Sequence, residues 1–325
     1  MQGHRTAVLQ RLLELHEILL IIELLTWKKN GVLQAYRTVV NLAKFGYINF
    51  HVFIQMKQPT KDVFNEFIKK IKAYPFLRAI IQFNGKYDLE LALVGKNMAD
   101  CDRIMTQIYT DCHNLLHNHE VLFVTKSFIA NTFPKSFLDK YIEKDIKRDI
   151  KKYNKPENIS ISIDETDIKL LEILSENAEI PVYKIAEQIR LSADAVTYRI
   201  KKLQKSNYII GYVPAINYDV INYGIYAVLI SIVNFTQKDD ALLTEFFKNN
   251  KDVLWAVKAI GKYNVIAYFC TQKMDDFIKT TEELRNYLTN KVQDYELLIN
   301  FEEYKYTYLP KGLIKINWLL FLSLH

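Results

Sequence analysis

The chain has 325 residues, half of them apolar, enough for two or three domains with real cores. Its 43 basic and 37 acidic side chains leave a net charge of +6, modest overall and unevenly placed. Cys101, Cys112 and Cys270 are not spaced as a disulfide framework, and with no signal peptide visible they fit a reducing cytoplasm.

In chain order, the apolar run Leu9–Trp27 is interrupted by Arg11, Glu14, Glu17 and Glu23, so it is not read as a membrane span. The pattern then predicts a strand Tyr47–Met56, a helix Lys61–Ala73, strands Phe76–Phe83 and Asp88–Val94, a helix Met98–Leu116 and a strand Val121–Phe128. Cys112, His113, His117 and His119 gather at the end of the second helix, with His113 and His117 at a spacing that can hold a transition metal. Their counterparts later in the chain are Leu288, Thr289, Gln293 and Tyr295, so the group reads as a solvated helix end and no metal is expected. Asp139–Lys155 alternates seven basic with four acidic residues and reads as a charged helical linker.

The most informative stretch follows. Asp164 to Asp167 opens a helix with Ile168, Leu171 and Leu174 on one side, and Glu179 to Pro181 break it. A second helix, Val182–Ile189, buries Ile185, Ala186 and Ile189, and Arg190 to Ala193 turn into a third. There Ser192 stands as N-cap and Leu191, Val196, Ile200 and Leu203 form an apolar stripe. The opposite face carries Thr197, Tyr198, Lys201, Lys202 and Lys205, with Arg199 at its edge; Arg190 to Lys205 holds five basic residues against Asp194 alone. This pattern suits insertion into a DNA major groove. Lys201, Lys202 and Lys205 are assigned to phosphates, and Ala195, Thr197 and Tyr198 to base edges. Arg199 contacts phosphate or braces the helix; spacing does not decide between them. Tyr208 to Val213 reads as a wing strand.

Asp164, Asp167, Leu170, Leu171, Ile185, Ala186, Leu191, Ser192, Val196, Arg199, Ile200 and Leu203 together resemble the DNA-binding head of the Lrp/AsnC (feast/famine) transcription regulators. One departure is Asn207, where the family usually has Gly; Asn tolerates the left-handed conformation that a helix end needs. The resemblance implies double-stranded DNA as partner and a βαββαβ regulatory (RAM-type, ferredoxin-like) domain after the head. The chain supplies candidate elements: strand Tyr223–Ile232, helix Ala241–Asn249, strands Val253–Ile260 and Val265–Phe269, helix Met274–Asn290 and strand Tyr295–Phe301.

The same unit occurs earlier. Tyr36, Asn41, Tyr47, Gly85, Lys86, Tyr87, Pro134 and Lys135 match Tyr212, Asn217, Tyr223, Gly261, Lys262, Tyr263, Pro310 and Lys311 at a constant offset of 176, the mark of a tandem duplication. The expected fold class is therefore α+β, with two ferredoxin-like domains and one winged helix-turn-helix. Its parts are a degenerate, truncated head (1–35), a first regulatory domain (36–138), the linker (139–160), the DNA-binding head (161–213), a second regulatory domain (214–312) and an apolar tail (313–325). In the first head His16 and Glu23 replace the Ser192 and Arg199 equivalents, and Leu19 through Leu25 leave little basic face.

In the family this chain resembles, the Gly-x-Tyr-Asp turn lies near where regulatory domains meet and where an amino-acid effector can bind; the alternative is a simple β-turn with a packed Tyr. Here the resemblance implies effector contacts at Gly85, Lys86, Tyr87 and Asp88 and at Gly261, Lys262, Tyr263 and Asn264, the first turn being favoured because Asn264 lacks the charge of Asp88. A fused pair of such domains would be a pseudo-dimer with one working head, so two chains are expected to associate. No phosphate-binding Gly loop, nucleophile elbow or HExxH motif occurs, and no enzyme activity or cofactor is expected. Two rival readings are a sensor that assembles with other regulators without binding DNA, and a siroheme decarboxylase-like enzyme. Against the enzyme, Trp255 to Lys258 and Arg78 to Ile81 stand where such enzymes carry a His-Cys-Tyr-type motif.

Overall fold

The computed structural model describes residues 26–137 and 161–314, His113 and Thr289 apart. The degenerate first head at His16 to Leu25, the linker 139–160 and the tail beyond Ile314 lie outside the described residues. The first half runs β1 (Leu33–Val40), β2 (Ile48–Met56), α1 (Lys61–Lys72), β3 (Leu77–Asn84), β4 (Leu89–Gly95), α2 (Met98–Cys112) and β5 (Leu116–Ala130). Three helices follow: α3 (Glu165–Glu176), α4 (Val182–Ile189) and α5 (Ala193–Lys205). The second half is β6 (Ile209–Ile216), β7 (Gly224–Ile232), α6 (Gln237–Asn249), β8 (Val253–Ile260), β9 (Val265–Thr271), α7 (Met274–Leu288) and β10 (Val292–Tyr306). Each strand from β6 onward begins and ends 176 residues after its counterpart in the first half.

Spacing explains the helices. α2 buries Cys101, Ile104, Met105, Ile108 and Cys112, and α7 buries Phe277, Thr280, Thr281, Leu284 and Leu288, each a stripe recurring every three or four residues. α6 starts four residues before the expected Ala241, because Thr236 and Asp239 form a reciprocal capping box. Conversely, α2 stops at Cys112 rather than Leu116, where β5 already begins.

The two sheets do not remain separate. Eight strands close into one barrel in the order β10-β3-β4-β2-β5-β8-β9-β7. The cause is the length of β5 and β10, fifteen residues each rather than the seven or eight expected. The first part of β5 pairs with β2 up to Phe50↔Phe123, and the rest crosses to β8 from Phe123↔Ile260 onward. β10 repeats this with β7 and β3 about Ile299. Register shifts after Val124 and Ser127, and at the equivalent Asn300 and Glu303, mark the bulges that bend these strands around the closure.

Outside the barrel, β1 and β6 form a two-stranded antiparallel ribbon in which Arg37 pairs with Val213, its own counterpart in the repeat. The three-helix head rests on this ribbon: the Ala178 N–H donates to the Tyr36 carbonyl at 2.8 Å, and Val40 and Ile209 join Leu170, Leu171, Leu174, Ile185, Val196 and Leu203 in one core. Leu309 and Leu313 return to the same core, and the Glu172 carboxylate accepts the Gly312 N–H at 2.8 Å.

Candidate nucleic-acid interface

α3 begins at Asp164, whose carboxylate accepts the Asp167 N–H at 2.8 Å while the Asp167 side chain reaches back to the Asp164 N–H. Arg199, projecting from α5, ties into this box: Nη1 donates to Asp164 Oδ2 and to Asp167 Oδ1, both at 2.7 Å. Burial works against the charge on Asp164, but hydrogen bonds from the Asp167 N–H and from Arg199 hold its pKa below the ordinary carboxylate value. Of the two roles open to Arg199, phosphate contact and bracing, the structure shows bracing: Nη1 ties α5 to both carboxylates of the α3 capping box.

Ser192 is likewise a capping residue, its Oγ accepting the Ala195 N–H at 3.2 Å. Asn207, after the helix, has φ of 62°, the left-handed value for which Asn is suited. With those roles removed, the face of α5 left to solvent is led by Tyr198, 69% exposed, with Lys201 and Lys205 exposed and Ala195, Thr197 and Lys202 half-buried. Thr197 Oγ1 donates to the Ala193 carbonyl, and Lys202 Nζ reaches the Ser162 carbonyl at 3.4 Å. Tyr198, Lys201, Lys202 and Lys205 line a shallow depression of about 250 Å³ floored by Ile161. Tyr183, 56% exposed on α4, and Lys184 beside it extend the surface, and both were missed from the sequence. Their signal was polar residues on the outer face of the helix before α5, where the first helix of such a pair crosses a DNA backbone.

The Gly-Lys-Tyr turns do not form an open pocket. At Gly85 (φ 149°) a Cβ would lie 2.8 Å from Leu298 Cδ2 and 2.9 Å from the Leu297 carbonyl. At Gly261 (φ 152°) it would lie 2.5 Å from Leu122 Cδ2 and 2.6 Å from the Val121 carbonyl. Each turn therefore presses on the long strand of the opposite half. Tyr87 and Tyr263 are fully buried and their hydroxyls meet at 3.4 Å, and burial pushes both phenols up, so they stay neutral. Lys86 pairs with Glu296 at 2.5 Å and Lys262 with Asp294 at 3.3 Å. Asp88 accepts the Met56 N–H, and Asn264 exchanges two hydrogen bonds with the Ile232 backbone. Lys86, Tyr87 and Tyr263 are engaged across the seam between the halves, while Asp88, Lys262 and Asn264 are held by partners in their own half.

Space opens elsewhere. A cavity of about 350 Å³ lies between the barrel and the β1–β6 ribbon. In its wall Glu90, 1% exposed, accepts from the Tyr268 hydroxyl and is hydrogen-bonded to His51 Nδ1, and the His51 ring lies 5.3 Å from that of Trp255. Arg37 and Arg78 also line it. Cys112 is buried in the first core, and His119 is hydrogen-bonded to Tyr109, 2.7 Å away. Among the described residues no helix is long and apolar enough to cross a membrane.

A three-helix head with a capped, basic third helix, carried on a strand ribbon above a barrel, defines a helix-turn-helix protein of the DNA-binding class joined to a β-barrel body. Residues 163–204 match the AsnC-type helix-turn-helix domain. The chain is 38% identical over 132 residues to the HTH-type transcriptional regulator LrpA of Pyrococcus horikoshii, covering 86% of that protein and 40% of this chain. It is 28% identical over 137 residues to an HTH-type transcriptional regulator of Pyrococcus furiosus, covering 90% of it and 42% of this chain. The chain belongs to the Lrp/AsnC family of transcription regulators. Over nearly its whole length the fold also resembles the crystal structure of the siroheme decarboxylase NirDL, solved with an iron-uroporphyrin III analogue: TM-score 0.56, 13% identity, 90% of this chain and 83% of that one.

Proposed function

We propose that this protein is a sequence-specific DNA-binding transcriptional regulator that responds to a small molecule, with one recognition helix per chain. The observation that carries this reading is the free face of α5. Arg199 is engaged by Asp164 and Asp167 and the Ser192 hydroxyl caps the helix, while Tyr198, Lys201 and Lys205 remain in solvent on a capped head. Lys201 and Lys205, helped by Lys202, neutralise phosphates; Tyr198, Thr197 and Ala195 meet base edges. Residues 36–138 and 214–312 act as two ferredoxin-like, RAM-type domains fused by duplication, so that the pairing two chains would make is made within one. Two chains then associate to present two heads to a palindromic operator.

Fluorescence anisotropy of the full chain with DNA from its own upstream region, against shuffled DNA over a salt series, tests this. Preference for the native sequence with a steep salt dependence supports it. Equal binding to both DNAs turns the protein into a sensor that assembles with other regulators. A second reading, an enzyme acting on a tetrapyrrole carboxylate, is favoured by the linked His51, Glu90 and Tyr268 beside two arginines in the cavity. Titration with iron uroporphyrin III, read as a shift of its absorbance, tests that reading directly.

A further inference from the structure

We propose that the cavity beneath the β1–β6 ribbon is a binding site for a small aromatic carboxylate. Its position on the repeat is unusual. Trp255, Tyr268 and Tyr306 line it, and so do their counterparts 176 residues earlier, Ala79, Ala92 and Ala130. Trp255 and Tyr268 are cross-strand partners with ring centroids 5.7 Å apart, while Ala79 and Ala92 are the equivalent cross-strand pair. One half of the repeat thus supplies a wall of rings and the other leaves room beside it. Had both halves kept the aromatics the space would be filled, and had both kept the alanines it would have no stacking surface.

The charges point to an anion. Arg37 Nη1 donates to the Tyr306 carbonyl at 3.0 Å, and Arg78 Nε to the Thr307 carbonyl at 3.4 Å, so two guanidiniums flank consecutive residues at the end of β10. The remaining side-chain bond of Arg78 goes to the neutral Asn49 at 2.9 Å, and neither arginine forms an ion pair with a carboxylate among the described residues. Of the carboxylates in the wall, Glu90 is taken up by His51 and Tyr268, and Glu303 is close enough to feel the charge of Arg37, although burial raises its pKa and no ion pair forms between them. The counterparts of Arg37 and Arg78 are Val213 and Leu254, so the positive charge, like the aromatic wall, belongs to one half only. Planar guanidiniums with unused N–H groups beside an aromatic wall suit a carboxylate on a flat ring. The volume, about 350 Å³, is roughly twice the ~150 Å³ that admits benzene, which sets the ligand at one or two rings.

The site also has a route to the head. Arg37 lies on β1 and Val213 to Ile216 on β6 roof the cavity; β6 leaves α5 after Ser206, and β1 holds the α3–α4 loop through Tyr36. A ligand gripped by Arg37 therefore bears on the ribbon that carries the recognition helix. As an effector site the cavity rests on the regulator reading; as a binding site it does not.

The test is calorimetry of the full chain with indole-3-acetate and phenylpyruvate, with indole-3-acetamide and acetate as controls, alongside DNA anisotropy with and without the acids. Expected are binding of at least one aromatic acid, at least about tenfold weaker binding of the amide, and a loss of similar size in Arg78→Gln and Arg37→Gln. Ala92→Tyr, which keeps both arginines and restores the residue found in the other half, should abolish binding while leaving the circular dichroism unchanged. The proposal is overturned if neither acid binds, if binding survives Ala92→Tyr and both arginine variants, or if iron uroporphyrin binds and the acids do not. Acid binding without DNA binding would sink the regulator reading and leave the site standing; DNA binding without acid binding would do the reverse.

Discussion

Replacing Arg199 by alanine tests whether the basic face of the head has been divided correctly between bracing and binding. The substitution removes two charge-assisted hydrogen bonds of 2.7 Å, which differ in worth. The Asp164 side chain is 49% exposed, so that contact contributes about 0.5 kcal/mol, as surface pairs do. Asp167 is 1% exposed, and its other bond, to the Asp164 N–H, is long at 3.3 Å. Stranding that carboxylate costs about 2–4 kcal/mol. A loss of about 3 kcal/mol in total lowers Tm by about 4 °C if all 325 residues melt together, and by more if the head melts alone. Calorimetry and urea unfolding read the stability; anisotropy against salt reads the DNA contacts. The expected result is a lower Tm and urea midpoint with an unchanged slope of log K against log salt. An unchanged Tm with a slope shallower by about 0.9 would mean that Arg199 holds a phosphate, and the bracing argument would fail.

Lys201→Ala should weaken binding to native and shuffled DNA alike and reduce the salt slope by about 1, whereas Tyr198→Ala should narrow the gap between the two DNAs; exchanged outcomes would reverse the roles given to these residues. Gly85→Ala and Gly261→Ala should each destabilise the chain by about 2–4 kcal/mol in urea unfolding, because the added methyl meets the backbone of the opposite half and the positive φ is strained; a change within about 0.5 kcal/mol would show that the turns do not press on the seam. Hydrogen bonds from Lys291, and then from Thr236, hold Asp239 below the usual carboxylate range, so its contribution is complete above pH ~4 and is lost as the pH falls further. Asp239→Asn should flatten the acid side of the stability curve, and an acid limb as steep as the parent's would refute the linkage.

What was legible in the sequence was local. α4 and α5 fall where periodicity and capping put them, and Asn207 takes the left-handed conformation that the end of α5 requires. Each of those features depends on residues within two turns of one another. Barrel closure does not. The expected strands Val121–Phe128 and Tyr295–Phe301 cover only the middle of β5 and β10; what their local pattern does not carry is the partner, since β8 and β3, which pair with their outer parts, lie more than a hundred residues away. The turn at Gly85 was visible as a turn near the meeting of the two regulatory units, but its partner Leu298, more than two hundred residues away, was not. Even so, the cavity left a trace. Along the constant offset, Ala79, Ala92 and Ala130 change to Trp255, Tyr268 and Tyr306, substitutions too large for a packed core to absorb without a void or a rearrangement.

Those substitutions explain what fusion makes possible. Two identical chains meeting on a twofold axis must bring the same residue from each side, so an alanine faces an alanine and an arginine an arginine. Within one chain the constraint is gone: Arg37 pairs with Val213, and a ring-bearing strand pair lies in one half while its alanine counterpart lies in the other. The barrel can then hold one asymmetric ligand where a symmetric pair would hold two or none. Closure has a second consequence. By pairing β5 with β8 and β10 with β3, the chain uses up the sheet edges through which a single half could recruit a partner. On the proposed regulator reading, a second copy of the chain would join through helices, the ribbon or the outer faces of strands. Light scattering of the full chain at micromolar concentration is expected to give twice the monomer mass or more. A monomeric mass would mean that one head works alone.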